Sequence, residues 1–205
     1  MIDNINWIDK YMTGRSVLDV GVGSTGDFWH RLIKKAGLKV VGLDINEGFV
    51  DDWSNLGYNV LLGDIISYES SPKFDVVVSG ECVEHVENQS AFFEGLVRNV
   101  RDDGLVIVTT PNANSFANTL LFWLRGFVPE SFEHVVAHRL STLENIGLLH
   151  GLRVVDVFYY NNYYSFKGKS FTSRFGRSVF EFLLKVVGFV NPKSKMVLGV
   201  VYERF

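Results

Sequence analysis

Residues 16–26 read SVLDVGVGSTG. A β-branched, apolar run ends in a loop whose glycines, Gly21, Gly23 and Gly26, fit the spacing G-x-G-x-x-G. The next stretch, DFWHRLIKKAG (27–37), carries Phe28, Leu32, Ile33 and Ala36 at helical spacing, with Gly37 as a stop. Strand, glycine turn and helix together begin a β–α unit. Working outward, further short apolar runs lie at 39–45 (KVVGLDI), 59–65 (NVLLGDI), 74–80 (FDVVVSG) and 104–112 (GLVIVTTPN). Helical patterns separate them at 47–57 (EGFVDDWSNLG) and 88–100 (NQSAFFEGLVRNV). Strands alternating with helices predict a parallel sheet covered on both faces.

The second half is less regular. It predicts an apolar helix over 116–130, a helix over 141–152 with Ser141 and Glu144 as a capping box, and a strand over 153–160. A helix apolar almost all round follows at 173–190, then a last strand at 195–205.

Composition narrows the class. At 205 residues, 47% hydrophobic and 21% charged, the chain is too apolar for disorder and suits a single domain over 1–205. A net charge of −3 argues against a general polyanion binder. The lone cysteine, Cys82, allows no internal disulfide, which fits a reducing, cytoplasmic setting. No signal peptide and no membrane-spanning run is expected. Charge is uneven, however: residues 163–195 sum to +6, from Lys167, Lys169, Arg174, Arg177, Lys185, Lys193 and Lys195 against Glu181, while the rest of the chain sums to −9.

Glycines at that strand end let backbone approach a ligand at the carboxyl edge of the sheet. Two cofactors compete for such a loop. A dinucleotide would set its pyrophosphate on the helix N-terminus, whereas S-adenosylmethionine would lay its amino acid end over the loop. The acids favour the latter. Asp19 precedes the first glycine, where a carboxylate attracts an ammonium and repels a pyrophosphate. Asp44, followed by Ile45, ends the second strand, where an acid accepts from ribose hydroxyls. Asp64 ends the third, placed to accept from the adenine amino group with Ile65 against the ring.

The stretches VLDVGVGSTG, VVGLDI, LLGDI, FDVVVSGECVEHV and GLVIVTTPN, in that order over residues 15–160, resemble the class I S-adenosylmethionine-dependent methyltransferases. The resemblance implies a Rossmann-like, doubly wound sheet of seven strands, the last antiparallel and inserted beside the one before it. It also implies a cofactor half at about 1–112, acceptor and lid elements at about 113–195, and cofactor contacts from Asp19, Gly21, Gly23, Asp44, Asp64, Gly80 and Glu81. Thr25 sits in a loop often richer in glycine and alanine. An NAD-dependent oxidoreductase and a non-catalytic S-adenosylmethionine-binding partner protein are the alternatives.

GECVEHV (80–86) follows the fourth strand and places Glu81, Glu84 and His85 at i, i+3 and i+4. Were this a helical turn, all would share one face, and two carboxylates with an imidazole suit Mg²⁺ or Mn²⁺. The motif resembles that of the ubiquinone-biosynthesis O-methyltransferases and of the enzymes that methylate the terminal 2′-hydroxyl of small RNAs. That resemblance implies a further histidine before a downstream helix. His138 in HRLST is the better match and His134 the second, giving a metal set of Glu81, Glu84, His85 and His138. Glu84 and His85 are the expected catalytic residues, with His85 as a metal-free general base in the other reading.

The acceptor is expected to be a small molecule, a lipid or a glycan intermediate. The apolar and basic stretches 116–130 and 163–195 are expected to serve as substrate lid, homodimer interface or peripheral membrane contact. By charge the +6 segment equally suits RNA phosphates, though it carries no aromatic–basic platform that would speak for nucleic acid.

Overall fold

The computed structural model describes residues 6–25, 39–128, 131–161 and 174–205. The helix expected over 27–37, Gly26, and the basic residues Lys167 and Lys169 lie outside them.

Seven strands form one sheet: β1 (Ser16–Val20), β2 (Lys39–Asp44), β3 (Val60–Leu62), β4 (Phe74–Gly80), β5 (Val100–Pro111), β6 (Leu152–Tyr160) and β7 (Val197–Arg204). Their spatial order is β3-β2-β1-β4-β5-β7-β6. β1 to β5 are parallel, and β7 runs antiparallel between β5 and β6, the expected topology.

β4 sits at the centre because it is apolar on both faces: Val76, Val77 and Val78 are all buried. Val77 faces a core with Leu18, Phe92, Phe93, Leu96 and Tyr202. Val76 and Val78 face a second core with Val17, Ile107 and Val201, closed by Trp7, Ile8 and Met12. Those three belong to α1 (Asn6–Met12), an element the sequence reading did not include.

Side-chain caps set the helices. Asn46 and Asn88 accept from Phe49 N–H and Ala91 N–H to start α2 (Glu47–Asn55) and α3 (Gln89–Asn99). Ser115 starts α4 (Phe116–Arg125), which Gly126 ends in the left-handed conformation at φ 76°. The helix expected over 116–130 therefore stops at Arg125. α5 (Leu140–Leu149) begins before the expected Ser141 cap: the Thr142 hydroxyl, not Glu144, reaches back to Arg139 N–H at 3.0 Å. α6 (Arg174–Val190) precedes β7. β5 also starts early, at Val100, with an irregularity in its pairing between Phe74 and Val76 of β4.

Candidate functional site

The carboxyl ends of β1, β2 and β4 meet at the glycine loop. Gly21 has φ 76° and donates to the Leu43 carbonyl at 2.8 Å. A Cβ there would fall 2.5 Å from Cys82 Sγ, so only glycine fits both the conformation and the contact. Gly23, at φ 63°, is fixed at both ends of its peptide. Its N–H donates to Asp44 Oδ2 at 2.9 Å, and its carbonyl accepts from Trp53 Nε1 at 2.8 Å. Asp44 Oδ1 accepts from Asn46 N–H at 2.9 Å, so this carboxylate ties the loop to the end of β2. Trp53, fully buried on α2, was not singled out in the sequence; its role depends on a contact thirty residues away.

Asp19 lies within β1, only 2% exposed, beside Gly42 of β2 and Val78 of β4. Ile45 is 74% exposed just beyond Asp44. At the third strand end, Asp64 is exposed and its side chain accepts from Ile66 N–H, a turn-forming bond. Ile65, expected against the adenine ring, is instead 5% exposed and part of the core beneath α3. There the chain passes so close to α3 that a Cβ on Gly95 would lie 2.2 Å from the Ile65 carbonyl oxygen.

GECVEHV does not form an α-helical face. Gly80 closes β4, and Glu81 takes a left-handed conformation at φ 50°, the one non-glycine with positive φ among the described residues. Its N–H donates to the Thr109 carbonyl at 2.8 Å. Val83–His85 is then a single 3₁₀ turn. This geometry sends Glu84 inward, 2% exposed, and leaves His85 exposed.

The strap at 131–139 crosses that turn. Val135 and Val136 N–H both donate to the Glu84 carbonyl, at 2.9 and 3.3 Å. His85 Nδ1 lies 3.1 Å from the Glu133 carbonyl, and the His85 and His134 rings pack edge to face at 4.9 Å. A proton on Nδ1 donated to Glu133 leaves the His85 Nε2 lone pair available.

One carboxylate and two imidazoles thus converge: ligand atoms of Glu84, His85 and His134 all lie within 4.8 Å of one another, the one such cluster among the described residues. The expected set of Glu81, Glu84, His85 and His138 is revised by this geometry. His134 takes the downstream position because the strap lays it on the turn. His138 is 1% exposed, near the Val83 carbonyl but with no hydrogen bond to either ring nitrogen, and burial lowers its pKa. Glu81 is not one of the three clustered groups; its Oε1 lies 3.4 Å from the Tyr160 hydroxyl.

Glu84 accepts from the Thr110 hydroxyl at 3.0 Å. Burial, reinforced by the charge of Glu81, pushes its carboxyl up to about 8. Burial also pushes the Cys82 thiol up to about 12, which keeps it protonated where its sulfur packs against Gly21.

The family description "Methyltransferase domain" matches residues 5–157. The chain belongs to this methyltransferase family. Among curated proteins, the ubiquinone biosynthesis O-methyltransferase of Pseudomonas fluorescens (strain Pf0-1) is 30% identical over 120 residues, 54% of this chain and 51% of that protein. The same enzyme of Pseudomonas entomophila is 29% identical over 126 residues, covering 57% and 53%. The chain spans about half the length of the curated relatives it matches.

Among solved structures, an S-adenosylmethionine-dependent methyltransferase from Archaeoglobus fulgidus superposes with a TM-score of 0.65 at 20% identity, covering 97% of this chain and 90% of that one. Magnesium protoporphyrin IX methyltransferase from Synechocystis PCC 6803, with bound S-adenosylhomocysteine, gives 0.64 at 17% identity, covering 98% and 80%. These likenesses concern the fold. The family is a methyltransferase domain and the fold is that of S-adenosylmethionine-dependent methyltransferases, which speaks against the dinucleotide reading of the glycine loop.

In this methyltransferase α4 and α6 pack on each other beside the sheet, through Ala117, Leu184, Phe116 and Phe180. Their outer surfaces remain apolar. Phe122, Trp123, Leu124 and Phe127 are exposed at the end of α4, and Phe182, Val186, Phe189 and Val190 on α6. Arg125, Lys185 and Lys193 are exposed nearby in the chain. No helix among the described residues is long and apolar enough to cross a membrane.

Proposed function

We propose that the chain transfers the methyl group of S-adenosylmethionine to an oxygen of a small-molecule, lipid or glycan acceptor. The observation that carries the acceptor chemistry is the convergence of Glu84, His85 and His134 within 4.8 Å, on the turn that leaves β4 beside the glycine loop.

Methyl transfer from a sulfonium moves no proton at the donor, so the chain's task is to position two ligands and prepare the acceptor oxygen. Asp44 and Trp53 rigidify the loop that receives the cofactor. Asp19, Ile45, Asp64, Gly80 and Glu81 are the further cofactor-side residues in this proposal.

The three-donor cluster fits a divalent ion, and its two imidazoles favour Mn²⁺ over Mg²⁺, which prefers oxygen donors. When bound, such an ion polarises the acceptor oxygen and lowers its pKa. Glu84 gives up its proton to become a ligand, while Thr110 keeps its carboxylate in place. The second reading rests on the exposure of His85: without metal, it is the group able to take the acceptor proton.

The exposed apolar ends of α4 and the outer face of α6 support a lipid-borne acceptor met at a membrane surface. Co-sedimentation with anionic vesicles tests that part, and absence of binding removes it. The reaction is tested by incubating the protein with methyl-labelled S-adenosylmethionine and catechol, sugar and lipid acceptors, with Mn²⁺ or with chelator. Label transfer to oxygen that His134→Ala and chelator both abolish supports the proposal. Transfer indifferent to both selects the metal-free reading, and no transfer to any oxygen acceptor counts against the O-methyl assignment.

A further inference from the structure

Two cations outside the cluster of Glu84, His85 and His134 line one cavity. It has a volume of about 340 Å³ and lies where the exit of β5, the start of α5, the end of β6 and the turn before β7 meet. Arg139 and Lys193 are both exposed there, and neither forms an ion pair with a described residue. Lys193 belongs to the strongly basic segment 163–195.

Buried polar contacts hold both cations in place. Asn112, 3% exposed, donates from Nδ2 to the Lys193 and Lys195 carbonyls at 3.0 and 2.8 Å, and from its N–H to the Met196 carbonyl at 2.8 Å. Asn191 accepts from Lys193 N–H at 3.2 Å and starts the 3₁₀ turn Pro192–Ser194. The backbone of Lys193 is thus bolted to the end of β5. On the facing side, Arg139 N–H donates to the Thr142 hydroxyl at 3.0 Å, and the preceding His138 carbonyl accepts from Ala113 N–H at 3.0 Å. Tyr159 adds a hydroxyl, kept protonated by burial and by the charge of Glu144. Glu144 is the one acid among the described lining residues, so two cations stand against one carboxylate.

The cavity adjoins the acceptor side of the site. Thr110, which donates to Glu84, is two residues before Asn112, and Arg139 ends the strap that carries His134. Cations from separate elements, a neutral hydroxyl donor and the positive end of the ten-residue α5 together suit a phosphoryl group. The volume takes one such group with the atoms attached to it, not a polymer backbone.

We propose that this cavity receives a phosphoryl group carried by the acceptor, so that the acceptor is a hydroxyl compound that is also a phosphate ester. The proposal deepens the proposed function and rests on its assignment of an oxygen acceptor.

The test titrates inorganic phosphate, glycerol 3-phosphate and dihexanoyl phosphatidic acid into the protein by calorimetry, with chelator present and without cofactor. Loss of one charge-assisted contact in Arg139→Gln or Lys193→Gln should weaken binding by roughly tenfold. Glu144→Gln should strengthen it, a change that misfolding does not produce. Arg125→Gln, outside the cavity, should bind as the wild type does. Tighter binding of phosphatidic acid than of glycerol 3-phosphate assigns the phosphate to a lipid acceptor, and the reverse assigns it to a soluble one; either supports the proposal. No phosphate binding by the wild type at millimolar concentration overturns it. So does binding indifferent to both cation variants, or an equal loss in Arg125→Gln, the mark of a general charge effect. Failure here leaves methyl transfer to oxygen standing, whereas absence of label transfer removes that reading and leaves phosphate binding measurable on its own.

Discussion

Replacing Glu84 by glutamine is predicted to remove a pH-dependent loss of stability that the wild-type protein carries. Glu84 is 2% exposed and its carboxyl titrates at about 8 instead of its ordinary 4.5, chiefly because burial disfavours the anion. The folded state therefore holds the proton more tightly than the unfolded chain. Its stabilising effect is complete below 4.5 and is lost as pH rises through about 8. At about 1.4 kcal/mol per pH unit, that interval corresponds to about 5 kcal/mol as an upper bound. Local relaxation and water entry around a buried charge reduce it, so roughly 2–5 kcal/mol is expected. For a chain of this size each kcal/mol moves Tm by about 2–4 °C, which makes the effect about 4–20 °C. Glutamine keeps the shape and can still accept from the Thr110 hydroxyl. Thermal melts with chelator between pH 5 and 9 should show the wild type falling relative to Glu84→Gln, with the gap opening towards pH 8. Parallel curves for the two proteins would refute the burial of an ionisable carboxyl at this position.

The same proton links metal to pH: apparent Mn²⁺ affinity should rise about tenfold per pH unit up to about 8, where Glu84 has lost its proton, and calorimetry giving a flat profile would place the metal elsewhere. Gly21→Ala forces a Cβ against Cys82 Sγ at positive φ. It should cost about 1–3 kcal/mol in urea denaturation and remove S-adenosylhomocysteine binding; a variant that binds normally would show the loop to be more pliant than its contacts imply. Trp53→Phe loses the bond to the Gly23 carbonyl while keeping the α2 core filled. Cofactor affinity should drop about fivefold to tenfold, with a smaller change in Tm than for Gly21→Ala.

The fold was legible because its signals are local. Runs such as FDVVVSG are apolar on both pleat faces, and β4 occupies Phe74–Gly80 as read. Asp44 was legible as an acid at a strand end, though not as the group that holds Gly23 N–H. What sequence spacing could not show is contact across the chain. By sequence pattern His138 ranks ahead of His134, yet the strap bound to the Glu84 carbonyl brings His134 to the turn and buries His138. The i, i+3, i+4 pattern assumes an α-helical turn; the left-handed Glu81 and the 3₁₀ turn break it and leave Glu81 out of the cluster of Glu84, His85 and His134. Ile65 reads from sequence as a ligand contact because it follows Asp64, whereas the close approach of Gly95 draws it into the core. A hint of the buried polar site was present in the consecutive threonines of VIVTTP, polar residues in an otherwise apolar strand that prove to contact Tyr160 and Glu84.

The most direct test of the account is calorimetric titration of the wild type and Asp44→Ala with S-adenosylhomocysteine, with NAD as the control. Saturable binding of S-adenosylhomocysteine alone is expected, lost when Asp44 no longer ties Gly23 and Asn46 together. Binding of NAD instead, or undiminished S-adenosylhomocysteine binding by Asp44→Ala, would contradict it.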